Sequence, residues 1–164
     1  MSFTSKNPYY IPIGDRFCEN LYYRMHELYQ SGWIRSARFL KFLMWRLFHT
    51  FIPPQAKIGK RLVLPHHGFG IVMHEDTIIG NDAIIFHNNT FGNGSIRIGN
   101  CLYMGTGAVI IGPVKIGDYV SIAANSYVNF DIPSYGVVIG NPGQIKKIRS
   151  KKEIEEIRNQ RIQQ

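Results

Sequence analysis

Two adjacent histidines, His66 and His67, are the residues of this sequence best suited to acid–base chemistry. An imidazole titrates near neutral pH, so it can take the proton of a hydroxyl group, which is otherwise a poor nucleophile. A third histidine, His87, follows in the segment 86–90, whereas His26 and His74 have no comparable surroundings. The pair is therefore a candidate for general acid–base chemistry.

The histidines lie inside a repeat of six residues that organises the second half of the chain. Each hexapeptide opens on an apolar residue, often followed by glycine as in Ile58-Gly59. The register holds at thirteen positions: Ile52, Ile58, Leu64, Met73, Ile79, Ile85, Phe91, Ile98, Met104, Ile110, Ile116, Ile122 and Val128. The step from Leu64 to Met73 is three residues too long, and the step from Phe91 to Ile98 is one too long. The first insertion carries both histidines.

A period of six matches neither a helical stripe nor simple strand alternation. It matches a parallel β-solenoid in which each hexapeptide forms one short flat side. The opening residue points into the coil, and a second inward position follows four residues later: Ala56, Leu62, Ala83, Ala108, Val114, Val120, Ser126 and Ile132. The repeat therefore predicts a mainly β fold and leaves the handedness of the coil open.

Three segments give the chain its resemblance to a known family: Ala56-Lys57-Ile58-Gly59, Leu64-Pro65-His66-His67-Gly68-Phe69-Gly70-Ile71-Val72 and Gly140-Asn141-Pro142. They resemble the hexapeptide-repeat acyltransferases, and within them the serine acetyltransferase branch and its relatives that O-acetylate bacterial polysaccharides. The resemblance covers about residues 52–149. It implies a left-handed β-helix, acetyl-CoA as co-substrate, no metal, and a homotrimer with active sites between subunits.

The resemblance also implies the role of the histidine pair. In the family, a histidine at this place deprotonates the acceptor hydroxyl, which then attacks the thioester carbonyl of acetyl-CoA. Counting forward from Gly59 aligns His66 with that residue, and counting backward from Gly70 aligns His67, because the sequence has one extra residue there. We choose His66 as the base and keep His67 as the alternative.

The acceptor side departs from the serine acetyltransferases. His87 stands where these enzymes carry a glutamine, so we expect it to contact the acceptor. Phe51 replaces the aspartate that orients the base, and Pro65 replaces the aspartate that binds the serine amine. The loop that binds the serine carboxylate is shortened to residues 92–95. These departures favour an acceptor other than serine, and Glu75 is our candidate for orienting the base.

Coenzyme A binding is implied by two groups of residues that match the family. Small residues at the solenoid corners let the pantetheine arm approach the backbone: Gly105, Thr106, Gly107, Ala123 and Ala124. The same residues also suit a purely structural role, because the corners of the solenoid favour small side chains. Basic residues that match those meeting the CoA phosphates follow the last repeat: Lys146, Lys147 and Arg149.

The ends of the chain are predicted to be helical. We expect an extended arm over 1–16, helices over 17–30 and 33–48, and a last helix over 151–162 that begins with a capping box. The domains are then 1–51 (arm and helical cap), 52–149 (β-helix) and 150–164. We favour a cap on the open end of the solenoid for the first helices. The alternative is contact of residues 33–48 with an anionic membrane, because aromatic and basic residues mix there.

The composition predicts a folded protein, because 45% of the 164 residues are hydrophobic and only 18% are charged. The chain has no run of the ~20 apolar residues that span a bilayer, and no signal-peptide pattern. Cys18 and Cys101 lie far apart without metal-ligand spacing, so a reducing cytoplasm is expected.

The net charge of +8 comes largely from the two ends of the chain: Arg35, Arg38, Lys41, Arg46, Lys146, Lys147, Arg149, Lys151 and Lys152. The repeat region lacks the clustered basic and aromatic residues of a nucleic-acid interface. We therefore expect an anionic small molecule or acidic polymer as partner, with many of these cations simply solvated.

These observations favour an O-acetyltransferase that modifies a saccharide, such as a capsular or surface polysaccharide or its precursor. The first alternative is serine O-acetyltransferase. A zinc carbonic anhydrase of the same fold would need three histidines around one interface, and the pair with His87 supplies too few at a recognisable spacing. A non-catalytic β-helix scaffold is the remaining alternative.

Overall fold

The computed structural model describes Pro8 and residues 16–162. Helices α1 (Phe17–Gln30) and α2 (Ile34–Phe48) precede a β-solenoid, and α3 (Lys151–Ile162) follows it. All three lie where the sequence predicts helices. The predicted capping box is present, because Ser150 N–H donates to Glu153 Oε2 and Glu153 N–H donates to Ser150 Oγ. The predicted arm over 1–16 lies outside the described residues, apart from Pro8 and Arg16.

The solenoid is built from short strands: β1 (Lys57–Ile58), β2 (Val72–Met73), β3 (Ile78–Ile79), β4 (Ile84–Ile85), β5 (Thr90–Phe91), β6 (Ile96–Ile98), β7 (Tyr103–Met104), β8 (Val109–Ile110), β9 (Val114–Ile116), β10 (Ser121–Ile122), β11 (Tyr127–Val128), β12 (Gly136–Ile139) and β13 (Gln144–Ile148). They form sheet 1 (β1-β3-β6-β9), sheet 2 (β4-β7-β10-β12-β13) and sheet 3 (β2-β5-β8-β11). Every pair is parallel except β12 with β13. The predicted mainly β solenoid is confirmed.

The strand register gives the length of each coil and explains both irregularities of the repeat. Ile96 pairs with Val114, eighteen residues further on, which is three hexapeptides. Lys57 pairs with Ile78, twenty-one residues on, so the first coil contains the three extra residues. Thr90 pairs with Val109, nineteen residues on, so a later coil contains the single extra residue.

The core lies inside the coils, where the repeat predicts it. All thirteen opening positions and all of the second inward positions named above are buried. The one polar residue among them, Ser126, accepts a hydrogen bond through its Oγ from Gly140 N–H. At the corners the coils come so close that a Cβ on Gly59 would lie 2.7 Å from the carbonyl carbon of Gly80, so a larger residue cannot fit there.

Helix α1 covers the first coil through tyrosine hydroxyls. Tyr22 Oη donates to Ala56 O and accepts from Ile58 N–H, at 2.9 and 3.0 Å. Tyr23 Oη makes the same kind of bridge between Gly59 O and Leu62 N–H. Among the described residues, no helix has the length and apolar character needed to cross a bilayer.

Candidate active site

Most of the predicted site residues lie along one edge of the solenoid, where the chain passes from sheet 2 to sheet 3. We call this the histidine edge and define it by residues 65–71, 86–89, 105–108 and 123–126 in four successive coils. Backbone hydrogen bonds connect neighbouring coils along it. Asn88 N–H donates to Phe69 O, Gly107 N–H to His87 O, and Asn125 N–H to Thr106 O, at 2.7, 3.1 and 2.9 Å.

The first coil of this edge bulges outward in an unusual backbone conformation. His66, His67 and Gly68 have φ of 56°, 58° and 64°, so three consecutive residues adopt the left-handed region. Each non-glycine residue there costs roughly 1–2 kcal/mol. The buried Thr50 offsets part of that cost, because its Oγ1 lies 2.8 Å from Gly68 O and 3.2 Å from His67 O as a donor. The bulge is therefore a fixed turn, with both histidines projecting from it.

His66 and His87 come together on the histidine edge. Their ring centroids are 5.2 Å apart and the rings are nearly perpendicular. His66 is exposed to solvent, whereas His87 is half-buried and its Nδ1 is buried without a hydrogen-bond partner. A buried, unpaired ring nitrogen is costly unless something else binds it. The pair therefore offers an exposed imidazole beside a half-buried one whose Nδ1 has no hydrogen-bond partner among the described residues.

His67 lies in a different environment from His66. Its ring is half-buried and stacks on Phe48 of α2, with centroids 4.9 Å apart. The structure thus separates the two candidates for the base: His66 lies beside His87 at the edge, and His67 packs toward the N-terminal helices.

Glu19 of α1 is a carboxylate close to the bulge that is not among the predicted site residues. Its side chain is buried, Oε1 accepts a hydrogen bond from Leu64 N–H at 2.8 Å, and Oε2 is buried without a partner. Burial raises the pKa of Glu19, while that hydrogen bond and the charges of Arg16 and His67 act in the opposite direction. The helical spacing contained the signal, because Glu19 precedes the buried Tyr22 by three residues and so shares its face.

Glu75 is not brought to the histidine edge. It is exposed in the turn between β2 and β3, where sheet 3 passes to sheet 1, and the short loop 92–95 stacks at that same edge one coil further on. The structure therefore does not support Glu75 as the residue that orients His66. Phe51, which we align with an orienting aspartate, is exposed, and its ring centroid lies 5.1 Å from Lys41 Nζ.

The predicted small residues of the CoA groove follow the histidines along the edge. A Cβ on Gly105 would lie 2.6 Å from the backbone nitrogen of Ala124, and one on Gly107 would lie 2.4 Å from Asn125 Oδ1. Gly107 also has φ of +70°. Close contact with the next coil thus requires glycine at 105, and the positive φ favours glycine at 107, whatever else the groove holds. Thr106 and Ala123 are half-buried beside them.

The predicted phosphate-binding cations lie at the end of the solenoid, on and after β13. Lys146 Nζ donates to Gln144 Oε1 at 2.7 Å, and Lys147 pairs with Glu153 of the capping box. Arg149 donates from a guanidinium nitrogen to Ser121 Oγ at 2.8 Å. Lys146 and Lys147 are exposed, so both remain accessible to an anion.

A metal site is not evident in the part of the chain that the structure describes. Within residues 16–162, no three side chains of histidine, cysteine, aspartate or glutamate come close enough to hold one ion.

The fold and the histidine edge together define this chain as a hexapeptide-repeat β-solenoid. Comparison with known proteins shows which members of that class it resembles. No protein-family model matches the chain. A serine acetyltransferase of Staphylococcus aureus (strain Mu50 / ATCC 700699) is 37% identical over 129 residues, which cover 74% of this chain and 60% of that protein. A solved serine acetyltransferase in complex with CoA matches with a TM-score of 0.71 and 32% identity, over 78% of this chain and 55% of that one.

A third match is the serine acetyltransferase of Neisseria gonorrhoeae in complex with serine, with a TM-score of 0.72 and 30% identity, over 79% of this chain and 55% of that one. The chain thus spans about 60% of the length of the curated relative, and less of the solved chains. The fold prediction and the resemblance to acyltransferases are supported by these matches. The narrower likeness to polysaccharide O-acetyltransferases is not supported by them.

Proposed function

We propose that this chain is an acetyl-CoA-dependent O-acetyltransferase. The observation that carries the proposal is the histidine edge, where an exposed histidine in a fixed bulge lies in line with coil corners that only small residues can occupy. The similarity to serine acetyltransferases, one of them solved with CoA, supports the same chemistry. A non-catalytic scaffold gives no reason for an exposed histidine to lie against a second histidine at this edge.

The proposed reaction needs only one proton shuttle. The imidazole takes the proton from the acceptor hydroxyl as its oxygen attacks the thioester carbonyl carbon. The carbon–sulfur bond of the tetrahedral intermediate then breaks, and the imidazolium returns the proton to the CoA thiolate. The products are an acetyl ester and free CoA, and no redox partner is required.

His66 is the proposed base. It is exposed at the edge and touches His87, which we expect to contact the acceptor. His67, stacked on Phe48, is proposed to hold the bulge against α2. The small corners Gly105 to Gly107 with Ala123 and Ala124 would border the pantetheine arm, and Lys146 with Lys147 would meet phosphates.

The acceptor has two candidates. The relatives favour L-serine, because they are serine acetyltransferases and one was solved with serine. A saccharide hydroxyl is favoured by Pro65, which offers no carboxylate for a serine amine, by Phe51, which offers none to orient the base, and by the short loop 92–95. That loop lies flat against the next coil, since Gly112 N–H donates to Asn93 O at 2.9 Å. A homotrimer and a cytoplasmic location remain part of the proposal.

The identity of the acceptor is tested by following CoA release with a thiol reagent. Purified protein receives acetyl-CoA with L-serine, or with a panel of acidic and neutral bacterial polysaccharides. Turnover with serine establishes the first candidate, and turnover with a glycan alone establishes the second. If no acceptor releases CoA and the protein does not bind acetyl-CoA in calorimetry, the scaffold alternative replaces the proposal.

A further inference from the structure

The outer face of α2 exposes large aromatic side chains to solvent. Trp33, which precedes the first turn, is 66% exposed, and Phe39, Phe42 and Trp45 are 62%, 53% and 49% exposed. Arginines stand between them, also exposed: Arg35, Arg38 and Arg46. Trp33 lies exposed just before the helix, and we call the six helical residues among them the α2 face: Arg35, Arg38, Phe39, Phe42, Trp45 and Arg46.

The face is one continuous surface on the outside of the molecule. Ala37 and Met44 are buried and lie seven residues apart, so they mark the side of α2 that packs inward. The residues at 35, 38, 39, 42, 45 and 46 follow spacings of three and four and therefore share the opposite side. Aromatic rings and guanidinium groups thus share one side of the helix over about three turns.

The chemistry of this face is that of an interfacial helix. Tryptophan and phenylalanine are stable at the boundary between lipid headgroups and acyl chains, and arginine binds the phosphates above them. The sequence of α2, Ile34–Phe48, contains no aspartate or glutamate. The surface is therefore positive throughout and complements an anionic leaflet.

A two-fold contact with a second copy of the chain is a poorer fit for the same surface. In a two-fold contact the same patch meets itself, which would bring Arg35, Arg38 and Arg46 of one copy against those of the other. Like charges at close range oppose such a contact. We propose that the α2 face binds the surface of a bilayer that contains anionic lipids, with its aromatic rings among the headgroups. This inference is independent of the acetyltransferase activity.

The chain offers a direct probe of this contact, because its only two tryptophans are Trp33 and Trp45. The full-length protein is mixed with vesicles of phosphatidylcholine alone, or of equal parts phosphatidylcholine and phosphatidylglycerol. Binding to the anionic vesicles is expected to shift the tryptophan emission to the blue and to sediment the protein with the lipid. Lipids brominated near the top of the acyl chain are expected to quench that emission.

Matched variants distinguish binding through the α2 face from attraction by net charge alone. Removing two cations in R35Q/R38Q is expected to weaken binding to anionic vesicles about 30-fold, at about 1 kcal/mol for each cation near the leaflet. The control K151Q/K152Q changes the net charge equally but on the exposed start of α3, and is expected to bind like the wild type. F39S/F42S is expected to lose the blue shift while both tryptophans remain.

Three results would overturn the proposal. The first is unchanged emission with anionic vesicles. The second is equal weakening by R35Q/R38Q and K151Q/K152Q, which would mean attraction through net charge alone. The third is a blue shift without lipid that grows with protein concentration and disappears in F39S/F42S, which would mean that a second copy covers the face.

Discussion

Replacing Thr50 by valine removes one buried hydroxyl and tests whether the bulge that carries the histidines is held in place by it. Thr50 is fully buried, and its Oγ1 lies within 2.8 Å of Gly68 O and 3.2 Å of His67 O. Valine keeps nearly the same shape, so T50V removes the donor without leaving a large cavity.

The size of the stability loss depends on which hydrogen bonds each carbonyl keeps after the substitution. Gly68 O still accepts from Ile71 N–H at 3.0 Å after the change, so it is not left wholly unpaired. The loss of stability is then near the usual net value of one hydrogen bond. A smaller further loss is expected because His67 O also loses its contact with the Thr50 hydroxyl. We expect the free energy of unfolding to fall by about 1–2 kcal/mol. We also expect kcat to fall at least ~10-fold, because a base displaced by about 1 Å can lose that much or more.

The matched control is Thr77→Val. Thr77 is also fully buried, but its Oγ1 has no hydrogen-bond partner, so T77V removes an unsatisfied hydroxyl. Urea denaturation is expected to show T77V as stable as the wild type or more stable, with unchanged kcat. If T50V and T77V behave alike in both stability and kcat, the bulge is not held by Thr50 and this explanation of its geometry is wrong.

Three further predictions concern the edge and the buried ionisable groups. G107A places a Cβ against Asn125 Oδ1 and should raise the KM for acetyl-CoA, whereas G32A, with a similar positive φ and open space, should not. Because burial raises the pKa of Glu19, the folded state favours its neutral form, and the stability this gives is lost as pH rises through the folded pKa. E19Q should therefore be more stable than wild type at pH 7 in urea denaturation, with the difference vanishing toward about pH 4; a constant difference would contradict the assignment. Burial raises the pKa of Cys101 to about 11, so at pH 8 it should react with a disulfide reagent far more slowly when folded than in urea.

The solenoid could be predicted from the sequence because each hexapeptide repeats the same local requirement. An apolar residue must point inward at every sixth position, so insertions show directly as breaks in the register. The three extra residues before Met73 and the single one before Ile98 were readable for that reason, and the strand pairs reproduce both. The same logic places Gly105 to Gly107 and Ala123 to Ala124 on successive corners.

The details of the candidate site depended on contacts that no repeat encodes. The meeting of His66 with His87 requires left-handed backbone at the bulge, and the spacing of the residues does not specify φ. Glu19 lies forty-five residues before Leu64; its helical spacing places it on the inward face of α1, but its contact with the bulge depends on tertiary packing. Glu75 was our candidate for orienting the base, but the turn after β2 takes it to another edge of the solenoid.

The measurement that tests the central claim most directly is transfer of isotope-labelled acetyl from acetyl-CoA to the preferred acceptor, detected by mass spectrometry. Wild type, H66A and H67A are compared at saturating acetyl-CoA, after circular dichroism shows that all three are folded. The account predicts that H66A loses acetyl transfer by about 100-fold or more, the size of a general-base contribution. H67A should keep measurable kcat with reduced stability. Full activity in H66A, or loss confined to H67A, would contradict the assignment of His66 as the base.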